Sequence, residues 1–153
     1  MSQTTPELTE HERAAFAALL DEVIPPSPER GLPGAGELGL AGEIDAAAPD
    51  LRPVLRQGLA ALDEKARAHG MAGFTALARP ERTGALGELV TEDPGFLPGI
   101  VYHAYAHYYQ QPPVLEALGL EARPPFPGGY PLEPLDPQRL AQMRSRTRLW
   151  RDG

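Results

Sequence analysis

The chain contains no cysteine among its 153 residues. Disulfides, thiolate metal sites and cysteine nucleophiles are therefore excluded, and the redox compartment is left open. Alternating runs of β-branched residues are also missing, so strands are not predicted. No segment repeats at a fixed period. These absences favour an all-α fold.

Long apolar runs are missing too, and none approaches the length needed to cross a bilayer. We therefore predict no direct membrane insertion. The chain begins Met-Ser-Gln-Thr-Thr-Pro, without a visible secretory leader. This favours a cytoplasmic location for the chain as given.

Basic side chains are outnumbered, and the net charge of −7 argues against a nucleic-acid binder. The charge is uneven, because five arginines and only one acid follow position 138. A solvated C-terminal helix is the simpler interpretation. The alternative is a basic arm that docks on an acidic partner through Arg144 and Arg148.

Proline and glycine are abundant, with 18 and 16 residues. They cluster between the apolar stripes and after residue 119, which indicates rigid connections. We predict one helical domain over 1–153. It comprises a helical core at 8–119, a proline/glycine-rich extended strap at 120–135 and a short basic helix or tail at 136–153.

Apolar residues at helical spacing predict a compact bundle of about six helices. The first begins with the capping box Thr9-x-x-Glu12 and is ended by Pro25. The third is the longest, and the segment Gly73-Phe74-x-x-Leu77 after it can bury an aromatic ring in a short turn. The core residues predicted for the first and third helices are Phe16, Leu19, Leu20 and Val23, and Leu51, Val54, Leu55, Leu59, Leu62 and Ala66.

An aromatic helix follows Asp93-Pro94 and carries four of the five tyrosines. Tyr105 and Tyr108 are predicted to belong to the core. Pro112-Pro113 end this helix, and Gly119 caps the short turn after it. The other residues predicted for its apolar face are Leu97, Ile100, Val101 and Ala104.

Tyr102 and Tyr109 project from the opposite side of this helix, by its 100-degree step. Together with Phe126 and Tyr130 on the strap, they have the composition of a partner interface. The strap could equally fold back and cover these tyrosines. The sequence leaves both outcomes open.

His103 and His107 stand four residues apart, so both imidazoles could face one metal ion. A third ligand is missing, since only Gln110 and Gln111 are near, and no H-E-x-x-H motif is present. We therefore predict no metal site, and keep these two histidines as the candidates of a rival hypothesis, a metal-dependent enzyme.

Four acidic residues invite comparison with helical di-iron bundles, but no Glu-x-x-His motif accompanies them. We interpret Asp21 and Asp45 as partners of backbone groups and arginine. The glycine-rich segment 31–36 does not follow a strand and lacks the P-loop lysine, so its glycines are interpreted as a tight turn. No catalytic and no cofactor-binding residue is predicted. The four acidic residues are Asp21, Glu22, Glu43 and Asp45.

Several short segments together resemble the small subunit of the gluconate 2-dehydrogenase type, the subunit 3 family. The resemblance extends roughly from Leu8 to Tyr130. The segments that carry it are Leu8-Thr9-x-x-Glu12, Ala18-Leu19-Leu20-Asp21-Glu22-Val23-Ile24-Pro25, Gly34-Ala35, Glu43-Ile44-Asp45, Gly73-Phe74-x-x-Leu77, and the aromatic helix with its Leu118-Gly119 turn and Pro127-Gly128-Gly129-Tyr130.

The resemblance implies a non-catalytic accessory subunit that binds a large FAD-dependent alcohol or sugar dehydrogenase of the glucose-methanol-choline type. FAD would then lie on the partner, and a cytochrome c subunit is a further partner that it implies. Members of this family often carry a twin-arginine leader, which is not visible here. The resemblance therefore implies a periplasmic location within an exported complex as the alternative to a cytoplasmic one. Besides the metal-dependent enzyme, a self-associating helical protein using the same aromatic surface is the alternative.

Overall fold

A computed structural model describes residues 6–122 of the protein. These residues form six α-helices joined by short connections and 3-10 turns, and they contain no β-strand, which confirms the predicted all-α fold. The predicted basic tail lies outside the described residues, as do Phe126, Tyr130, Arg144, Arg148 and all but the first three residues of the strap. The helices are α1 (Glu10–Val23), α2 (Leu40–Ala47), α3 (Arg52–Ala68), α4 (Arg79–Glu92), α5 (Phe96–Tyr108) and α6 (Pro112–Ala117).

Within residues 6–122, no helix combines the length and the apolar character that a membrane span requires. The bundle is organised around α1, which contacts α2, α3, α4 and α5. Three phenylalanines from different parts of the chain, Phe16, Phe74 and Phe96, are the largest fully buried side chains. They join these helices into one hydrophobic core.

The start of α1 confirms the predicted capping box. The Thr9 N–H donates to Glu12 Oε2 at 2.7 Å, and the Glu12 N–H donates to Thr9 Oγ1 at 3.2 Å. Leu8, directly before the cap, is buried. The cap satisfies both backbone groups locally, and Arg56 of α3 adds a hydrogen bond from its Nε to Glu12 Oε1 at 3.0 Å.

The turn between α3 and α4 also matches its sequence pattern. Phe74 is fully buried and Leu77 is 5% exposed, as the spacing in Gly73-Phe74-x-x-Leu77 predicts. Asp63 of α3 holds this turn, because its Oδ1 atom accepts the Phe74 N–H at 2.8 Å. The turn is therefore fixed twice, by the buried ring of Phe74 and by the hydrogen bond from its backbone to the buried carboxylate of Asp63.

Two core predictions are wrong. Val54 is 40% exposed, and Tyr105 is 44% exposed. Gly58 is among the buried residues of α3, and a β-carbon at this position would overlap the ring of Phe96. Phe96 therefore sets the rotation of α5, whose buried stripe runs Phe96, Ile100, Ala104 and Tyr108. Leu97 and Val101 are only partly buried, and Tyr105 turns outward.

Candidate partner-binding surface

The exposed side of α5 carries three tyrosines, Tyr102, Tyr105 and Tyr109, which we call the tyrosine face. They are 70%, 44% and 50% exposed. Their spacing of three and four residues places them along one side of the helix. Tyr102 and Tyr109 lie on the side of α5 opposite its buried stripe, as predicted, and Tyr105 lies beside them. Their role in an interface stays a prediction.

The rings of this face are ordered against one another. Tyr105 and Tyr109 are stacked, with ring centroids 6.0 Å apart and planes inclined by 23°. Tyr108 meets Tyr109 edge to face at 5.3 Å, and Tyr102 meets His103 in the same way at 5.2 Å. Such aromatic pairs hold exposed rings in defined positions before any partner arrives.

The buried ring of Tyr108 supports the tyrosine face through its contact with Tyr109. The Tyr108 side chain is buried, and its hydroxyl donates to the carbonyl oxygen of Pro33 at 2.9 Å. Burial raises the pKa of Tyr108, and the neighbouring Tyr109 adds to the increase. The phenol therefore stays a hydrogen-bond donor, and it links α5 to the proline-rich connection between α1 and α2.

This part of the chain is depleted in charge. Residues 94–115 contain no aspartate, glutamate, lysine or arginine, although these make up 23% of the whole sequence. Depletion of charge together with enrichment in tyrosine is the compositional signature of the core of protein interfaces. The tyrosine face combines both properties.

Polar side chains at the C-terminal end of α5 meet α2. Glu43 of α2 accepts a hydrogen bond from Gln111 Nε2 at 3.0 Å, and its Oε2 atom lies 3.7 Å from His107 Nδ1. The His107 and His103 rings are 6.3 Å apart. Among the described residues, no group of three or more histidine or acidic side chains could hold a metal ion. The third ligand missing from the sequence is thus not supplied by another described helix.

The acidic residues singled out in the sequence are structural partners, as predicted for Asp21 and Asp45. Asp45 is 3% exposed, and its carboxylate accepts from Arg52 Nε at 2.7 Å and from the Leu8 N–H at 3.2 Å. Glu22 accepts from Arg82 Nε at 3.0 Å and from Thr83 Oγ1 at 2.8 Å, which joins α1 to α4.

Asp21 lies under the glycine-rich segment and explains its composition. The Gly36 N–H donates to Asp21 Oδ1 at 2.7 Å, and a β-carbon at Gly34 or Gly36 would overlap this carboxylate. These two glycines therefore allow a close approach to α1. The tight turn predicted for this segment is made by Gly31, which has a positive φ, and Gly39, directly before α2, has a positive φ as well.

Sequence reasoning missed two exposed leucines after α6. Leu118 is 47% exposed and Leu120 is 52% exposed. Gly119 has a φ of 72°, which confirms its predicted capping role. Its N–H donates to the Glu116 carbonyl at 2.9 Å, and that of Leu120 to the Leu115 carbonyl at 2.8 Å, the pattern of a Schellman motif. The Leu-Gly-Leu spacing was the available signal.

Comparison with known protein families gives one finding that covers most of the chain. A family model described as gluconate 2-dehydrogenase subunit 3 matches residues 10–126. The matched range includes all six helices and the whole tyrosine face. Comparisons with curated proteins and with solved structures yield no significant match.

Proposed function

Because the chain belongs to the gluconate 2-dehydrogenase subunit 3 family, we propose that it is a non-catalytic accessory subunit of a flavoprotein dehydrogenase complex. Its partner in this proposal is a large FAD-dependent alcohol or sugar dehydrogenase of the glucose-methanol-choline type. FAD and the oxidation chemistry belong to that partner. The small subunit binds it and stabilises its folded state.

The tyrosine face is the observation that carries the binding part of this proposal. It exposes Tyr102, Tyr105 and Tyr109 on a helix within a segment that has no aspartate, glutamate, lysine or arginine. Tyrosine gives a large contact area with few rotatable bonds, so little conformational entropy is lost when it is buried. A surface of this kind suits a stable subunit contact.

The pairing of the buried acids supports the non-catalytic part. Asp45 is occupied by Arg52, and Glu22 by Arg82 and Thr83. Asp63 is occupied by His11 and by the Phe74 N–H. Each of these carboxylates joins two segments of the bundle, which is a structural use of the charge.

Stabilisation follows from binding alone. A subunit that binds the folded dehydrogenase and not the unfolded chain raises its apparent stability by about 2.7 kcal/mol when present at 100 times its dissociation constant. An accessory subunit therefore needs no chemistry of its own to increase the amount of active enzyme.

Co-expression with a glucose-methanol-choline-type flavoprotein dehydrogenase from the same genome tests the proposal. We expect the two chains to co-elute in size-exclusion chromatography and the melting temperature of the dehydrogenase to rise in the complex. Separate elution of the two chains would contradict the binding role. Sugar or alcohol oxidation by the isolated small chain, measured with an artificial electron acceptor, would contradict the non-catalytic role.

A further inference from the structure

We propose that α5 enters an uncharged, apolar groove on the dehydrogenase as a helical ridge, with Tyr102, Tyr105 and Tyr109 as its anchors. This inference rests on the proposed function, because it specifies how the accessory subunit meets its partner. It concerns the chemistry of the contact and the side chains that determine its affinity.

The spacing of the tyrosine face fits this mode of recognition. Helices that dock in grooves present anchors at positions i, i+3 or i+4 and i+7. Tyr102, Tyr105 and Tyr109 occupy i, i+3 and i+7, and their exposed fractions of 70%, 44% and 50% make them accessible along the helix. The opposite side of α5 is committed to the core through Phe96 and Ile100.

The ridge is ordered before binding. Tyr109 is held between the stacked ring of Tyr105 and the edge of Tyr108. Tyr108 is itself fixed by its hydrogen bond to the Pro33 carbonyl oxygen. Since the rings already occupy defined positions, docking loses less side-chain entropy than it would with free rings.

The missing charges determine the chemistry of the groove. A charged group on the partner that faced the tyrosine face would be taken out of water without an opposite charge beside it, which is strongly unfavourable. The groove must therefore be uncharged, with polar atoms placed to meet the phenol hydroxyls. Glu43, which carries the nearest acidic charge on α2, pairs with Gln111 and His107 and so lies outside the tyrosine face.

This mode predicts an affinity that responds weakly to salt, although the chain carries a net charge of −7. Docking through Arg144 and Arg148, the second contact suggested by the sequence, would weaken strongly as salt screens the charges. Salt dependence therefore separates the aromatic contact from the arginine contact.

Titration calorimetry with the purified dehydrogenase polypeptide tests the ridge. The variants are Tyr102→Ser and Tyr109→Ser, and the matched control is Val54→Ser, which removes an exposed apolar side chain from α3. We expect each tyrosine variant to raise the dissociation constant about tenfold or more, and the control about twofold or less. Between about 50 and about 500 mM NaCl we expect the wild-type constant to change less than about threefold.

The outcomes separate this inference from the proposed function. If the wild-type chain does not bind the dehydrogenase, the proposed function fails. If it binds and the tyrosine variants bind equally well, or if affinity falls steeply with salt, the accessory role stands and the ridge is wrong. Tyr102→Phe keeps the ring and should lose less affinity than Tyr102→Ser. Unchanged circular dichroism and melting temperature of the free Tyr102→Ser chain show that its fold is intact.

Discussion

The ring of Phe96 lies against the backbone of Gly58, so α3 and α5 meet at this point without a side chain from α3. Gly58→Ala would drive a methyl group into a buried ring, and overpacking of this kind costs about 1–3 kcal/mol. Alanine gains about 1 kcal/mol of helix propensity, and we expect the overlap to outweigh it because Phe96 is 1% exposed. Urea denaturation should show a lower free energy of unfolding.

Gly84→Ala is the matched control. Gly84 is an exposed residue of α4, and a β-carbon there would meet no atom within 4 Å. Without overlap, only the helix-propensity gain remains, so the free energy of unfolding should rise by about 0.5–1 kcal/mol. Equal effects of the two substitutions would contradict the packing relationship between Gly58 and Phe96.

Asp45→Ala should be among the most destabilising single changes in the described helices. Asp45 and Arg52 are 3% and 6% exposed and are joined by a 2.7 Å hydrogen bond. Removing the carboxylate breaks this buried ion pair and the hydrogen bond from the Leu8 N–H, which together cost about 3–5 kcal/mol. Chemical denaturation followed by circular dichroism measures the loss.

Glu88→Ala gives the comparison for an exposed pair. Glu88 lies 3.3 Å from Lys65 Nζ, and its side chain is 62% exposed. Such a pair contributes about 1 kcal/mol or less, so this variant should unfold close to wild type. A loss as large as that of Asp45→Ala would show that burial does not determine the strength of these pairs.

Protonation of the Asp63 carboxylate should make the protein less stable in acid. Burial raises the pKa of Asp63, but hydrogen bonds from His11 and from the Phe74 N–H outweigh it and hold the pKa below its ordinary value. The stabilisation is therefore fully present above the unfolded-state pKa of about 3.9 and is lost as pH falls through the folded-state pKa. We expect the free energy of unfolding of Asp63→Asn to fall less steeply below about pH 4 than that of wild type.

The contribution of Asp21 to the free energy of unfolding should change with pH in the opposite direction. Burial raises its pKa and the nearby Glu37 adds to this, while the Gly36 N–H opposes it. The protonated form is favoured on folding, so this contribution is lost as pH rises through the folded-state pKa. We expect Asp21→Asn to be more stable than wild type at neutral pH, because an amide oxygen can still accept from Gly36.

Urea denaturation at a series of pH values tests both aspartates, and pH profiles that coincide with wild type would contradict both assignments.

Tyr108→Phe isolates the hydrogen bond to Pro33. The ring remains, but the 2.9 Å bond is lost, at a cost of about 1 kcal/mol. We expect faster amide exchange of Ala35, whose N–H donates to the Ile24 carbonyl in the connection that this bond holds. Tyr102→Phe is the control, because its side chain is 70% exposed and its loss of a hydroxyl should leave this exchange unchanged.

Features encoded by local contacts were predictable from the sequence. The Thr9–Glu12 capping box, the burial of Phe74 and the cap at Gly119 each depend on residues a few positions apart. The composition of α5 likewise indicated exposed tyrosines. Such features require only the geometry of a turn or a helix.

Features that depend on a neighbouring helix were not predictable. Tyr105 was expected in the core, but it is exposed. The rotation of α5 depends on the packing of Phe96 against Gly58, and nothing in the sequence assigns that position to Phe96. The pairing of Glu22 with Arg82 joins residues 60 positions apart. Pattern reasoning identifies which residues can pair, while the packing of the bundle determines which ones do.

The concentration of tyrosine on one helix also makes the protein a reporter of its own contacts. Four of the five tyrosines lie in or directly after α5, three of them exposed and Tyr108 buried. Nitration of the phenol rings, read by mass spectrometry, should therefore label Tyr102, Tyr105 and Tyr109 readily and Tyr108 slowly. Shielding of the first three in the presence of another molecule would map where that molecule sits, without any introduced dye.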